Sequence, residues 1–295
     1  MRIAIIEPIG ISSEEIKAEL SNNTIIECDS RGWSDEQLIK QVKNVDIIAL
    51  TNRPLSAAVI NAATELKFIA VAFAGIDHVD REAVNQRHIL VKNAAGYANT
   101  AVAELVFGFM ISLARDIPGN NQNIRHRAVT NTGLELKNKT LGIVGFGAIG
   151  AEVKRLASAF QMNTLIYDRS GQVTLDDVFS QSDFVTLHVP LADQTRGMVN
   201  LKRLSQMKKS AYLINCARGP IVVTEDLQCA LEQGLIAGAA LDVFDVEPPL
   251  PTDYSLWDAP NLIATPHIGF NTQEALRTKG LLAVKNIKEF LKMNA

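Results

Sequence analysis

The sequence predicts an α/β protein built from two doubly wound parallel sheets. Three observations carry that reading. Short, wholly apolar strands return at a near-constant interval, the segments between them have helical character, and a second series of such strands begins after a polar connector. The first series reads "RIAII" at 2–6, "TIIEC" at 24–28, "DIIAL" at 46–50, "FIAVA" at 68–72 and "HILVK" at 88–92. Between them lie polar segments such as "SSEEIKAEL" and "SDEQLIKQV". A leucine-rich repeat of similar period is excluded, because no LxxLxL core recurs and the linking segments open with helix N-cap residues. Strands that are apolar along their whole length need cover on both faces, and alternating helices supply it.

A helix follows from about Thr100 to Arg115. Its run "LVFGFMISLA", Leu105 to Ala114, is about half of the roughly 20 residues a membrane span needs, so it reads as a buried helix. Next comes "DIPGNNQNIRHRAVTNTGLELKNK", whose polarity makes it the candidate domain boundary on composition. The second series then runs "TLGIV", "NTLIY", "DFVTLHV", "AYLIN", "IAGAALDV" and "NLIAT". The last segment, "TQEALRTKGLLAVKNIKEFLKMNA", has apolar residues at helical spacing and predicts a terminal helix.

A length of 295 residues exceeds one small domain, and 47% hydrophobic with 21% charged residues is an ordinary composition for a soluble protein with two cores. The formal charge of −3 and the absence of any Lys/Arg-rich run argue against nucleic acid as a partner. Cys28, Cys216 and Cys229 form neither a CxxC pair nor a Cys/His set, so no disulfide framework and no metal site is expected, and a reducing cytoplasm fits. The opening "MRIAIIEPIG" reads as a first buried strand, not a leader, and no membrane association is expected.

The stretch "KTLGIVGFGAIG" places a glycine-rich loop between a strand and a helix, with Gly145, Gly147 and Gly150 in GxGxxG spacing. The first glycine permits the tight turn and the second lets backbone amides approach a pyrophosphate at the helix N-terminus. The third lets the helix pack closely on the strand. The next strand ends at Asp168, where a carboxylate can accept hydrogen bonds from ribose hydroxyls and would repel a 2′-phosphate. The motif in this context predicts a dinucleotide site taking NAD, with NADP kept open by Arg169.

Ligands of open α/β sheets sit beyond the carboxyl ends of the strands. Those ends carry Gly145, Asp168, His188 in "HVP", Arg218 in "NCARG", Asp242, and His267 in "TPHIG". A hydride transfer at an alcohol carbon needs a base for the hydroxyl proton, which histidine suits near neutral pH. A carboxylate substrate can be held by the paired donors of an arginine, and an acid beside the histidine would fix its tautomer. Taken singly, each has a plainer structural reading: a turn arginine for Arg218, a surface acid before prolines for Glu247, a satisfied strand-end histidine for His267. His78, His88 and His126 have no supporting context.

Together the ordered motifs, from "FAGIDHVD" through the glycine loop, "NCARGPIV", "ALDVFDVEPP" and "TPHIGFNTQEA", resemble the D-isomer-specific 2-hydroxyacid dehydrogenase family. That resemblance implies a flavodoxin-like substrate-binding domain of residues 1–95 plus 270–295, and an inserted Rossmann NAD-binding domain of residues 96–269, with the active site in the cleft between them. It implies hydride transfer between NAD(H) and a small D-2-hydroxy acid / 2-oxo acid pair. Arg218 would bind the substrate carboxylate and carbonyl, His267 would be the acid/base, and Glu247 its partner. Cofactor contacts would come from Gly145, Phe146, Gly147, Ala148, Ile149, Gly150, Asp168, His188, Val189, Pro190, Cys216, Ala217, Arg218, Asp242, His267 and Gly269. Substrate contacts would come from Ala74, Gly75, Arg218 and His267.

The resemblance also implies a homodimer, although residues 116–138 are shorter than is usual there and lack an expected tryptophan. The stretch "YDRSGQVTLDDVF" is abbreviated too, and "TNRPL" at 51–55 departs from the usual wording of the substrate loop. The pocket roles of Asn52, Arg53, Leu55 and Tyr97 therefore stay open. No regulatory domain follows the terminal helix, unlike the long phosphoglycerate dehydrogenases, and Pro266 stands where a formate dehydrogenase would carry glutamine. Two other readings use the same residues: a non-catalytic NAD-sensing protein similar to the corepressors of this fold, and a phosphite-type dehydrogenase.

Overall fold

The computed structural model describes Met1–His126, Val129–Val246 and Leu250–Asn294. The chain forms two compact units, Met1–Ala98 with Asn271–Ala295, and Asn99–Phe270.

In the first unit strands and helices alternate: β1 (Arg2–Ile5), α1 (Ser13–Glu19), β2 (Thr24–Glu27), α2 (Asp35–Val42), β3 (Ile47–Leu50), α3 (Ala57–Ala62), β4 (Phe68–Val71), α4 (Arg81–Gln86) and β5 (Leu90–Asn93). Each helix starts where a side chain caps it. Ser12 and Ser34 form capping boxes with Glu15 and Gln37, while Ser56 and Asp80 accept from Val59 N and Ala83 N. All strand pairs are parallel, in the order β2-β1-β3-β4-β5.

Successive strand residues face opposite sides of the sheet, which splits the apolar runs into two cores. Ala4, Ile48, Leu50, Ile69 and Val71 pack with Leu38, Val59, Ile60 and Val84 of the helices on one face. Ile3, Ile5, Ile47, Ala49 and Phe68 face the other way.

The second unit opens with α5 (Asn99–Ala114) and α6 (Ile117–His126). It continues through β6 (Thr140–Val144), α7 (Ala148–Ala159), β7 (Asn163–Tyr167), α8 (Leu175–Gln181), β8 (Phe184–Leu187), α9 (Leu201–Leu204), β9 (Tyr212–Asn215), α10 (Thr224–Glu232), β10 (Gly238–Leu241) and β11 (Leu262–Ala264). Its sheet is parallel throughout, in the order β11-β10-β9-β8-β6-β7. The apolar helix α5 buries Val106, Phe107, Phe109, Met110 and Leu113 against Leu141, Ile143 and Ile214 of this sheet. No described helix is long and apolar enough to cross a membrane.

The polar stretch after α5, a boundary on composition alone, lies inside the second unit, and its first part folds as α6 with no buried side chain. Polarity there reports exposure, not separation of domains. The chain passes between units at Ala98–Asn99 and at Phe270–Asn271.

After the second crossing α11 (Gln273–Met293) completes the second core of the first unit with Ala283, Val284, Ile287 and Phe290. Phe290 stacks on Phe68 of β4, with ring centroids 4.7 Å apart and planes 6° from parallel. We expect Phe290→Ala to destabilise the first unit by about 3 kcal/mol, read as a lower denaturant midpoint at unchanged slope.

Candidate functional site

The glycine loop after β6 sits where the strand order of the second unit reverses, with β7 on one side of β6 and β8 on the other. Gly145 has φ +100°, a conformation that side chains strain to adopt, and a Cβ there would lie 2.6 Å from the carbonyl oxygen of His188. A Cβ on Gly150 would overlap the Gly145 carbonyl, so the third glycine lets α7 press on the loop. Gly147 differs: a Cβ there would meet nothing within 4 Å. It is the N-cap of α7 and makes no side-chain capping bond, which leaves the positive end of the helix facing open space. These features fit a bound pyrophosphate. Phe146 and Ala148 are exposed and Ile149 is half-buried. The Lys154 ammonium lies 5.5 Å above the Phe146 ring.

Asp168 follows β7, one of the two edge strands of the sheet as described. Its Oδ1 accepts from the Ser170 hydroxyl at 2.5 Å and from Ser170 N at 2.8 Å, and these bonds hold its carboxyl below the usual aspartate range. Arg169 beside it is exposed. His188 ends β8, flanked by half-buried Val189 and exposed Pro190. Its ring is half-buried, with Nε2 3.0 Å from Thr186 Oγ1, and burial lowers its pKa to about 4.

The turn after β9 is built by a residue that sequence reasoning passed over. Asn215 is fully buried; its Oδ1 accepts from Ala217 N and its Nδ2 donates to the Arg218 carbonyl, both at 3.0 Å. Its only sequence signal is a polar side chain ending an apolar strand. Arg218 is half-buried and donates from Nη1 to the Ala217 carbonyl at 2.7 Å. Burial pushes the Cys216 thiol well above its ordinary range, with the Asp242 charge adding to the effect. A neutral thiol there suits packing and not nucleophilic chemistry. Next in the chain, Gly219 has no room for a side chain, since a Cβ would overlap the Phe244 carbonyl.

Asp242 ends β10 and is 1% exposed. Its Oδ1 accepts from Thr265 Oγ1 at 2.6 Å and from Ile268 N at 2.7 Å, and its Oδ2 accepts from Gly269 N at 2.7 Å. Its carbonyl accepts from His267 N at 2.8 Å. His267 has φ +55°, uncommon for a residue with a side chain, and its ring meets Phe270 edge to face at 5.5 Å. Glu247 lies outside the described residues.

Arg218, Asp242 and His267 thus stand at the ends of three consecutive strands in the sheet. Ala74 and Gly75 belong to the first unit, after β4, where Asn93 Nδ2 donates to the Ala74 carbonyl at 2.6 Å. Of the four residues left open, Leu55 and Tyr97 are buried, while Asn52 is exposed. The Arg53 guanidinium donates from Nη1 to the Ser30 and Trp33 carbonyls.

Residues 107–269 match the model of the D-isomer specific 2-hydroxyacid dehydrogenase, NAD binding domain. The chain belongs to the D-isomer specific 2-hydroxyacid dehydrogenase family. It is 34% identical to a D-3-phosphoglycerate dehydrogenase of Methanocaldococcus jannaschii over 99% of this chain, and spans 58% of that relative's length. It is 35% identical to a hydroxypyruvate reductase of Thermotoga maritima, covering 97% of each chain. The structure of a D-lactate dehydrogenase from Aquifex aeolicus, complexed with NAD and lactic acid, superposes with a TM-score of 0.84 at 26% identity, covering 99% of this chain and 96% of that one.

Two measurements test the architecture of this dehydrogenase-family domain. Asp242→Asn turns one acceptor oxygen into a donor facing the backbone N–H of Ile268 or of Gly269, and we expect a loss of about 2 kcal/mol in a denaturant titration. His188 stays neutral in the folded chain down to about pH 4, whereas in the unfolded chain it titrates near 6.5. The unfolded state therefore binds more protons between those values, and stability falls as pH drops from 6.5 to 4. His188→Gln should flatten that part of a Tm-against-pH curve.

Proposed function

We propose that the chain is an NAD-dependent D-2-hydroxyacid dehydrogenase that interconverts a small 2-oxo acid and its D-2-hydroxy acid. The observation that carries the reading is the series of side chains along one sheet edge: the glycine loop after β6, Asp168 after β7, Arg218 after β9, Asp242 after β10 and His267 after β11. On this reading Asn99–Phe270 is the NAD-binding unit and Met1–Ala98 with Asn271–Ala295 the substrate-binding unit.

Bound NAD(H) supplies the hydride acceptor or donor. Gly147 and the first turn of α7 would hold its pyrophosphate through backbone N–H groups, Gly145 would shape the turn while its own N–H donates to the Tyr167 carbonyl, and Asp168 would accept from the ribose hydroxyls. The ionised Asp168 disfavours a 2′-phosphate, which supports NAD over NADP. Arg218 pairs with the substrate carboxylate and polarises the carbonyl oxygen next to it, a task for a planar fork of donors. His267 gives a proton to that oxygen in reduction and takes it from the hydroxyl in oxidation. Glu247 is its partner, stabilising the imidazolium form, and Asp242 sets the turn from which His267 projects. Ala74 and Gly75 receive the substrate carboxylate through backbone N–H groups. The exposed side chains of Ile117, Ile124 and Val129 support a homodimer.

The test is oxidation of NADH and of NADPH against glyoxylate, hydroxypyruvate, pyruvate, oxaloacetate and a branched 2-oxo acid. We expect turnover with NADH and a product of D configuration. NADH binding without turnover of any of these acids would overturn the reading. Arg218→Lys should raise KM and lower kcat, reducing kcat/KM on the order of a hundredfold, because a point charge replaces a bidentate fork.

A further inference from the structure

In the first unit the strand order reverses between β1 and β3, with β2 on the far side of β1. Doubly wound sheets take ligands beyond the carboxyl ends of their strands at such a point, and converging backbone N–H groups make an anion site. Here the N–H groups of Thr51, Asn52 and Arg53, consecutive in the turn after β3, meet on one oxygen at 2.8, 3.1 and 2.9 Å. That oxygen is Glu7 Oε2, carried by the turn after β1. Glu7 is 3% exposed; its charge reaches the exposed Arg31 and two side chains that are at least partly buried, Lys279 of α11, 5% exposed, and His78 after β4. Burial lowers the pKa of Lys279 and His78, and the Glu7 charge pulls each back up.

We infer that Glu7 is an internal anion occupying the switch-point site of the first unit, and a positioning residue that holds the 51–53 turn for substrate binding. The carboxylate stands where a ligand's acid group would otherwise go, so this crevice is closed to the substrate carboxylate. The turn has no slack elsewhere. Arg53 is tied to the Ser30 and Trp33 carbonyls, Leu55 N donates to the His78 carbonyl at 2.8 Å, and Asp80 N donates to the Leu55 carbonyl at 3.0 Å. Asn52 and Pro54 are the residues of the turn left exposed. Because β3 and β4 are neighbours, this turn shares a sheet edge with Ala74 and Gly75. Charge-assisted bonds from three successive amides fix a backbone more firmly than neutral ones.

The kinetic consequence rests on the proposed 2-oxo acid reaction; the anion site itself does not. In the full-length chain, Glu7→Ala should raise KM for the 2-oxo acid on the order of tenfold, with kcat within about threefold and NADH affinity unchanged. Acetate in the tens of millimolar should fill the vacated site and raise the Tm of Glu7→Ala saturably, while acetamide should not; wild type should respond to neither. Amide exchange supplies a readout free of turnover: the Thr51, Asn52 and Arg53 amides should exchange on the order of tenfold faster in Glu7→Gln, while those of β4 stay protected. Unchanged protection of the three amides overturns the proposal, as does a folded Glu7→Ala with wild-type KM and no acetate response. If no 2-oxo acid is turned over but acetate rescue and faster exchange are seen, the reaction assigned above fails and the internal anion stands.

Discussion

The carboxylate of Asp242 is the point on which the candidate site of the second unit depends. One buried side chain collects a hydroxyl and two backbone N–H groups from the turn after β11, while its own backbone receives His267 N. A buried charge is costly to keep unless its lone pairs are satisfied, and here the groups that satisfy it are those that must be placed. The positive φ of His267 follows from this arrangement: a turn pulled onto one carboxylate from both sides leaves its middle residue in the left-handed region. Gly219 adds a second constraint. Its backbone presses so closely on the Phe244 carbonyl that the Arg218 turn and the segment following Asp242 hold one another in place.

Most strands and the long helices were legible from the sequence, because a parallel sheet covered on both faces demands apolar runs that nothing else demands. The glycine loop was legible for a related reason: backbone approach and positive φ leave few residue choices, and the loop writes those choices into the chain. What stayed hidden depends on partners distant in sequence. Glu7 reads as the polar end of a strand, and nothing near it announces that its acceptors' donors lie 44 to 46 residues away. Asn215 and Thr265 are similar, ordinary polar residues whose work is to shape the turns that carry Arg218 and His267. The directions of Arg53 and Leu55 depended on how the turn after β3 folds, which periodicity does not encode. The connector after α5 misled on composition because an exposed helix and a linker are both polar.

The two units solve one electrostatic problem in different ways. Each has a strand reversal, followed in the first unit by the converging N–H groups of Thr51, Asn52 and Arg53 and in the second by the N-terminus of α7. In the second unit the glycine loop keeps the space at that N-terminus open, with nothing near Gly147 to fill it. In the first, the chain supplies its own carboxylate. The same α/β architecture thus offers one reversal to a ligand and uses the other as internal scaffolding.

The excursion of the chain has a consequence for how the protein is made. The second unit is a single continuous stretch, whereas the first combines β1 to β5 with α11, which is synthesised only after all of Asn99–Phe270. Until α11 emerges from the ribosome, the sheet face carrying Ile3, Ile5 and Phe68 lacks Ala283, Ile287 and Phe290, and exposes apolar surface. Vectorial synthesis therefore favours the later-encoded domain folding first, with the earlier one held as an incomplete half. During that wait the nascent chain presents a natural binding surface to chaperones.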